Sequence, residues 1–411
     1  MGARVGDRNK HAHRAALVVV LVLLAAQTLA SAASTWVAGV RIPKGYRVVQ
    51  KHHPGSGLWH LTLTRSNPDQ VAHVALLESG SPNRLRVLLS NGRVSGPAPR
   101  TERTSSMCRR VRCLVAINGD FFTDAGLPVG GLVGDGEPLR SPLPERRQFT
   151  WGSDGRLRLG ALEMTPTLTS FHQRVPSGTL LLRSAGPPEP RTWTIDGVNV
   201  GRGADELTLY TPRFGTTTEA SGGSELVGRI ISPAGPIRAG VDTTIELVSA
   251  RSGGSRIPSD GVILSGHGQG QEELRTLWRA IEAGTASPRA TLRVAVSPNA
   301  QQSVAGKPVL VRDGDRATSS RSSRAPRTMI GWNADGDVLL VTVDGRQPGR
   351  ADGLTVIEAA DLMRAFGAVE ALNLDGGGST TFVLRGDVVN RPSSGPGHER
   401  SVAVAVAVVP G

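Results

Sequence analysis

Near the end of the chain runs Asn373-Leu374-Asp375-Gly376-Gly377-Gly378-Ser379-Thr380. An apolar stretch delivers an amide and a carboxylate to three glycines, and hydroxyls follow. Glycines remove side-chain bulk and let backbone N–H groups approach a ligand. Such a loop can form an anion-binding nest suited to a phosphate or a developing oxyanion. The plainer alternative is a tight loop in which Asp375 caps backbone amides. The Gly-Lys-Ser/Thr ending of a P-loop is absent, and so is the G-x-S-x-G nucleophile elbow.

Further polar clusters sit at expected strand ends. Asn118-Gly119-Asp120 closes one strand, Arg327-Thr328 opens another, and Asp344-Gly345-Arg346 closes a third. Asn390-Arg391 and Glu399-Arg400 lie in a charged loop before the last strand. Acids and arginines at strand ends can converge on one cleft. Taken singly, Asp344-Gly345 is also a turn signal, and an arginine at a strand end is also an ordinary surface charge. No histidine can be tied to a particular serine, so no triad is assigned.

These residues need a scaffold, and the hydrophobic pattern supplies one. Period-two or continuously apolar runs predict strands over 58–64, 71–77, 85–90, 113–118, 206–211, 226–232, 244–249, 262–265, 291–296 and 307–312. Leu274, Leu277, Trp278 and Ile281 predict a helix over 271–283; Val356, Ala359, Ala360, Met363 and Phe366 predict another over 355–366. The last third reads strand 337–343, helix 355–366, then strands 369–374, 381–384 and 402–409. High Gly (51) and Pro (27) with 4% aromatics favour a turn-rich β fold. The expected class is α+β, a mixed β-rich sheet with a few helices in a single catalytic domain.

The first 33 residues read as an export signal. Arg4, Arg8, Lys10 and Arg14 precede the 12-residue apolar run 15–26, and Ala30-Ser31-Ala32 follows as a cleavage pattern. The run is short for a bilayer, which needs about 20 apolar residues. An uncleaved anchor is the alternative. Residues 34–69 read as a lead-in of unknown role, and 70–411 as the catalytic domain. The chain carries a net charge of +12. That charge suits anionic glycans, or simply a solvated basic surface; no nucleic-acid module is recognisable. Cys108 and Cys113 are the only cysteines. Outside the cytosol they read as a disulfide, with buried free thiols as the alternative.

Together these clusters resemble the phosphodiester glycosidase family. The matching stretches run in the family's order: AINGDFF (116–122), PVGGLVGDGEPL (128–139), LYTPRFGTTT (209–218), ILSGHG (263–268), PRTMIGW (326–332), LLVTVDGR (339–346), the run 354–383 ending in LNLDGGGSTTFV, VNRPS (389–393) and HERSVAVAVAVV (398–409). One departure is visible: after Glu399-Arg400, related sequences often carry Pro-Val-Ala-Asn, where this chain has Ser401-Val402-Ala403-Val404.

The resemblance implies an exported or wall-associated hydrolase that cleaves the glycosidic bond of a sugar-1-phosphodiester in a glycan. Asp375 is the first choice for the carboxylate that attacks the sugar carbon or activates water, with Asp344, Asp120 and Glu358 in reserve. Arg327 and Arg346 are the phosphate ligands. Asn118, Thr328, Asn373, Gly376, Gly377, Gly378, Ser379, Thr380, Asn390, Arg391, Glu399 and Arg400 complete the expected substrate contacts. A divalent cation held by the acids is open, as is the oligomeric state. Attack at phosphorus and a non-catalytic glycan-binding role are the rival readings.

Overall fold

The computed structural model describes residues 35–173, 187–395 and 398–411. The expected export signal lies outside the described residues.

Two antiparallel sheets form the body. The larger has eight strands, in the spatial order Asp315–Arg316, Val309–Arg312, Ala368–Asn373, Arg327–Asn333, Val338–Val343, Gln70–Leu77, Leu58–Arg65 and Arg47–Gly55. The smaller has five: Asp387–Val388, Phe382–Leu384, Val115–Asn118, Val404–Val409 and Arg84–Leu89. Their facing sides share one core that includes Leu58, Ala75, Ile117, Ile330, Leu340, Leu372, Phe382 and Val406.

Helices cover the outer faces. The first helix, α1 (Thr104–Val111), packs on the smaller sheet through Met107 and Cys108. The last, α3 (Val356–Ala365), packs on the larger through Val356, Ala359, Ala360 and Met363. The result is a four-layer helix–sheet–sheet–helix stack. It explains why VLLVTV over Val338–Val343 lacks alternation. Leu339, Val341 and Val343 face α3, while Val338 and Leu340 face the other sheet. Period-two patterning fades when both faces of a strand are covered.

A third sheet joins Glu137–Arg140, Leu132–Gly134, Gln302–Gly306, Arg147–Trp151 and Leu157–Gly160. Between its strands the chain leaves to build a second eight-stranded sheet from residues 163–297, covered by α2 (Gln269–Glu282) through Leu274 and Leu277. It returns where Phe149 pairs with Val304. The expected α+β, β-rich class is the one observed, with three α-helices among the described residues. Cys108 and Cys113 form a disulfide under α1.

Leu58–Arg65 pairs with Gln70–Leu77 along its full length, from Leu58↔Leu77 to Arg65↔Gln70. A boundary at residue 70 therefore runs between hydrogen-bonded neighbours. The stretch 47–65 belongs to the same sheet as the strands that carry the glycine loop.

Candidate active site

In the larger sheet, Ala368–Asn373 ends, Arg327–Asn333 begins and Val338–Val343 ends on one edge. In the smaller sheet, Val115–Asn118 ends beside the start of Phe382–Leu384 and of Val404–Val409. The antiparallel registers thus bring the polar clusters at 118–120, 327–328, 344–346 and 373–381 to one end of the sandwich.

Asn118 joins the two sheets there. Its amide Nδ2 donates to the Asp375 carbonyl (2.6 Å), and its Oδ1 accepts from Thr328 Oγ1 (2.8 Å) and the Thr381 N–H (3.1 Å). The Asp375 N–H donates to the Gly119 carbonyl and the Leu374 N–H to the Thr328 carbonyl. Asn118, Thr328, Ser379 and Thr380 are buried, none above 1% exposed. They brace the loop from beneath rather than meeting a ligand at its surface.

The glycines are required by space. A Cβ at Gly376 would lie 2.7 Å from the Pro326 carbonyl oxygen, and Gly377 adopts φ +59° with the Arg346 guanidinium against it. Three of the loop's amides are engaged internally: the Gly377 N–H is spent on Pro326, that of Ser379 on Gly376, and that of Thr380 on Gly377. A tight three-residue helical turn, Gly377–Ser379, thus leaves fewer donors for an anion than an open nest would offer.

Positive charge comes from side chains instead. A cleft of about 450 Å³ is lined by Asp375, Asn373 and the three glycines, with Arg327, Arg346 and Arg400 around them and Phe121 at one wall. Arg327 is anchored by Leu354 O (2.9 Å), Ser322 Oγ (3.0 Å) and Ser323 O (3.1 Å). Burial, then the neighbouring Arg346, holds its pKa below the usual arginine range. None of the three arginines has an acid within ion-pair distance among the described residues. Asn373 is fixed by two donations from Nδ2, to Lys307 O and Leu374 O, each 2.9 Å.

Asp375 lines the cleft, and Asp120 lies buried near it. Burial pushes Asp375 up from the ordinary carboxylate range, opposed by the Ser379 hydroxyl and by Arg400. Asp120 accepts from the Phe121 N–H (2.7 Å) and the Gly130 N–H (2.6 Å). Burial nevertheless raises it to about 7, and the nearby Asp375 adds to the rise. Arg146, 8% exposed and stacked 4.8 Å from the Phe121 ring centroid, supplies a compensating charge to both acids. Arg146 carries no signal in the sequence: Glu145-Arg146-Arg147 reads as an ordinary charged turn.

Several expected site residues turn out to be struts. Asp344 is buried and fully engaged: it accepts from Arg350 Nη1 (2.8 Å), Asn390 Nδ2 (3.0 Å) and the Arg391 N–H (3.1 Å). Asn390 in turn accepts from the Phe382 N–H (2.7 Å) and donates to Thr380 O (3.1 Å). This pair fastens the 390s loop to the glycine loop, and the Arg391 side chain lies outside the cleft lining.

Glu358 is the N3 residue of a capping box on α3: it accepts from the Thr355 N–H (2.9 Å) and pairs with Arg324. Glu399 caps α1 from afar, accepting from the Ser105 N–H (2.8 Å) and the Ser105 hydroxyl. Both acids act on helix ends, away from the cleft. Val404, the departure noted above, is buried and packs where Gly119 turns. The open cation question meets no cluster of three or more His, Cys, Asp or Glu placed to hold a metal among the described residues.

At the strand ends of this layered β-sandwich, one loop-borne carboxylate sits among three guanidiniums in a polar cleft. Residues 238–409 match the family model of the phosphodiester glycosidases.

Among curated relatives it is 33% identical over 121 residues to the SPbeta prophage-derived uncharacterized protein YomE of Bacillus subtilis (strain 168), 28% of this chain and 18% of that protein. It is 43% identical over 67 residues to the mouse (Mus musculus) N-acetylglucosamine-1-phosphodiester alpha-N-acetylglucosaminidase, 16% of this chain and 13% of that one. The chain thus spans less than a fifth of the length of these relatives. The fold is similar to that of a hypothetical protein from Synechocystis (TM-score 0.61, 22% identity, 90% of this chain and 69% of that one). It is also similar to that of a protein from Burkholderia pseudomallei K96243 (TM-score 0.60, 22% identity, 84% and 76%).

Proposed function

We propose that the chain hydrolyses the glycosidic bond of a sugar-1-phosphodiester at the cleft beside residues 374–381. The observation that carries this reading is one half-buried carboxylate, Asp375, sharing a cleft with three arginines that have no acid within ion-pair distance among the described residues. Arginine forks suit phosphate oxygens, and a water-poor pocket strengthens the attraction.

In this reading Arg327, Arg346 and Arg400 bind the phosphate. Asp375 attacks the anomeric carbon or takes a proton from the water that does. The bond between that carbon and the phosphate oxygen breaks, and its electron pair leaves with the phosphomonoester, already stabilised by the arginines. A phosphate is a better leaving group than a sugar alkoxide, so charge stabilisation matters more than protonation. Asp120, raised to about 7 beside Asp375, keeps the pair from carrying two full charges. The export pattern at residues 1–33 and the Cys108–Cys113 disulfide support a place of action outside the cytosol.

The test is release of free sugar from an N-acetylglucosamine-1-phosphodiester by the wild-type protein beside Asp375→Asn. The expected result is turnover in the wild type and a loss of at least a hundredfold in a variant with native circular dichroism. Equal turnover in both would move the chemistry off Asp375.

A further inference from the structure

A second cavity, of about 440 Å³, opens on the seam between the sandwich and the inserted sheet. Val94 and Leu127 line it from loops of the body and Arg140 from the third sheet; Arg202, Tyr210 and His267 line it from the insert. It neighbours the cleft through one hairpin, in which the Thr123 N–H meets Leu127 O and the Val129 N–H meets Phe121 O. Phe121, on the outgoing arm, lines the cleft, and Leu127, on the returning arm, lines the cavity. Asp120, just before this hairpin, is the charged group that both Arg140 and the Asp375 cleft sense.

The cavity is cationic and its cations are held in place. Arg202 donates to Ser265 Oγ (2.7 Å), Ser221 O (2.7 Å) and Gly222 O (3.1 Å), leaving its buried Nε without a partner. A Cβ at Gly223 would sit 2.8 Å from Arg202 Nη1, so the glycine makes room for the guanidinium. Arg140 donates to Asn199 O (3.2 Å), and its Nε too is buried without a partner. Neither has an acid within ion-pair distance among the described residues. The acid in the wall, Glu219, is occupied by Ser95 and Arg100. Arg140 senses Asp120 and Arg202 reaches the buried Glu225 only through Ser265; guanidiniums fixed without a direct ion pair favour an incoming anion. Arg140 and Arg202 lie upstream of the family match at 238–409.

Building on the proposed reaction, we propose that this cavity is a second anion subsite. It takes the next anionic group along a glycan chain whose first phosphodiester sits against Asp375. The substrate class is then a glycan with anionic groups in series, such as a repeating sugar phosphate, rather than an isolated diester. A pocket at the junction of two packed units is a common place for such a ligand.

The test is calorimetric binding to the full chain carrying Asp375→Asn, which retains the cleft arginines. The probes are a synthetic sugar-phosphate oligomer with two phosphodiesters, the single diester of the same sugar, and an analogue with a uronate in place of the second phosphate. The expected result is that the oligomer binds at least tenfold tighter than the single diester. That advantage is lost when Arg202→Gln or His267→Gln is added. His267 is exposed and makes no side-chain hydrogen bond, so its variant reports even where Arg202→Gln disturbs the fold. A tightening shared by the uronate assigns the subsite to carboxylate as well as phosphate. An oligomer that binds no tighter than the single diester, or an advantage that survives both substitutions, overturns the proposal. Wild-type protein that turns over no sugar phosphodiester would defeat the proposed reaction alone, because the binding contrast needs no turnover.

Discussion

At the scale of single residues, the site is a separation of roles among chemically similar groups. Asp375, Asp120, Asp344 and Glu358 are all acids that the sequence places near strand or helix ends. Surroundings separate them: Asp344 and Glu358 are saturated by donors, while Asp375 and Asp120 are raised by burial. For Asp344 the sequence could not make that division, because its partners Asn390 and Arg391 come from elsewhere in the chain. Asn390, for instance, reaches Asp344 across 46 positions.

The raised Asp120 has a consequence for stability. Folded, it titrates at about 7; unfolded, near 3.8. The folded protein therefore holds a proton that the unfolded chain releases between those values. Asp120's contribution to stability is complete below about pH 4 and is lost as pH rises through about 7, with a slope of at most about 1.4 kcal/mol per pH unit. Urea midpoints from pH 4 to 8 should fall more steeply for the wild type than for Asp120→Asn. Parallel pH curves would show that Asp120 does not carry the proton.

Elements were the most legible scale wherever their signals were local. The strands read over 71–77, 113–118 and 402–409 and the helix over 355–366 all form near the expected bounds. Their apolar runs, and for α3 the Thr355–Glu358 box, lie within the segments themselves. Others escaped, among them the strands Arg147–Trp151, Glu163–His172 and Gln302–Gly306, and two more show the opposite reason. Arg47–Gly55 is an exposed edge strand with little apolar period. The α1 sequence, TSSMCRRV, has no favourable N-cap of its own, since Arg103 gives no side-chain bond; its cap arrives from Glu399, 294 positions away. The glycine loop was legible as a loop, but not the 3-10 turn that engages three of its amides. Glu358→Ala should separate capping from chemistry, since Gln at this position would still accept from the Thr355 N–H. The expected result is a stability loss of about 0.5–1.5 kcal/mol by denaturant unfolding and kcat/KM within about twofold of wild type. A hundredfold fall in kcat/KM with unchanged stability would return Glu358 to the catalytic set.

Across the whole molecule, the stack of two covered sheets explains how a loop with three glycines keeps a defined shape. Asn118 and Thr328 tie it to both sheets, and the strand ends below it belong to one antiparallel framework. That framework includes residues 47–65, so the body begins upstream of the boundary at residue 70. The inserted sheet adds a second basic cavity beside the cleft, giving part of the chain's positive charge a location. The central claim is that water attacks the sugar carbon at Asp375 and phosphate departs toward the arginines. Hydrolysis of a sugar-1-phosphodiester in oxygen-18 water tests it most directly. The account predicts the label in the anomeric hydroxyl of the released sugar, and none in the phosphomonoester. Label in the phosphate would place the attack at phosphorus and contradict it.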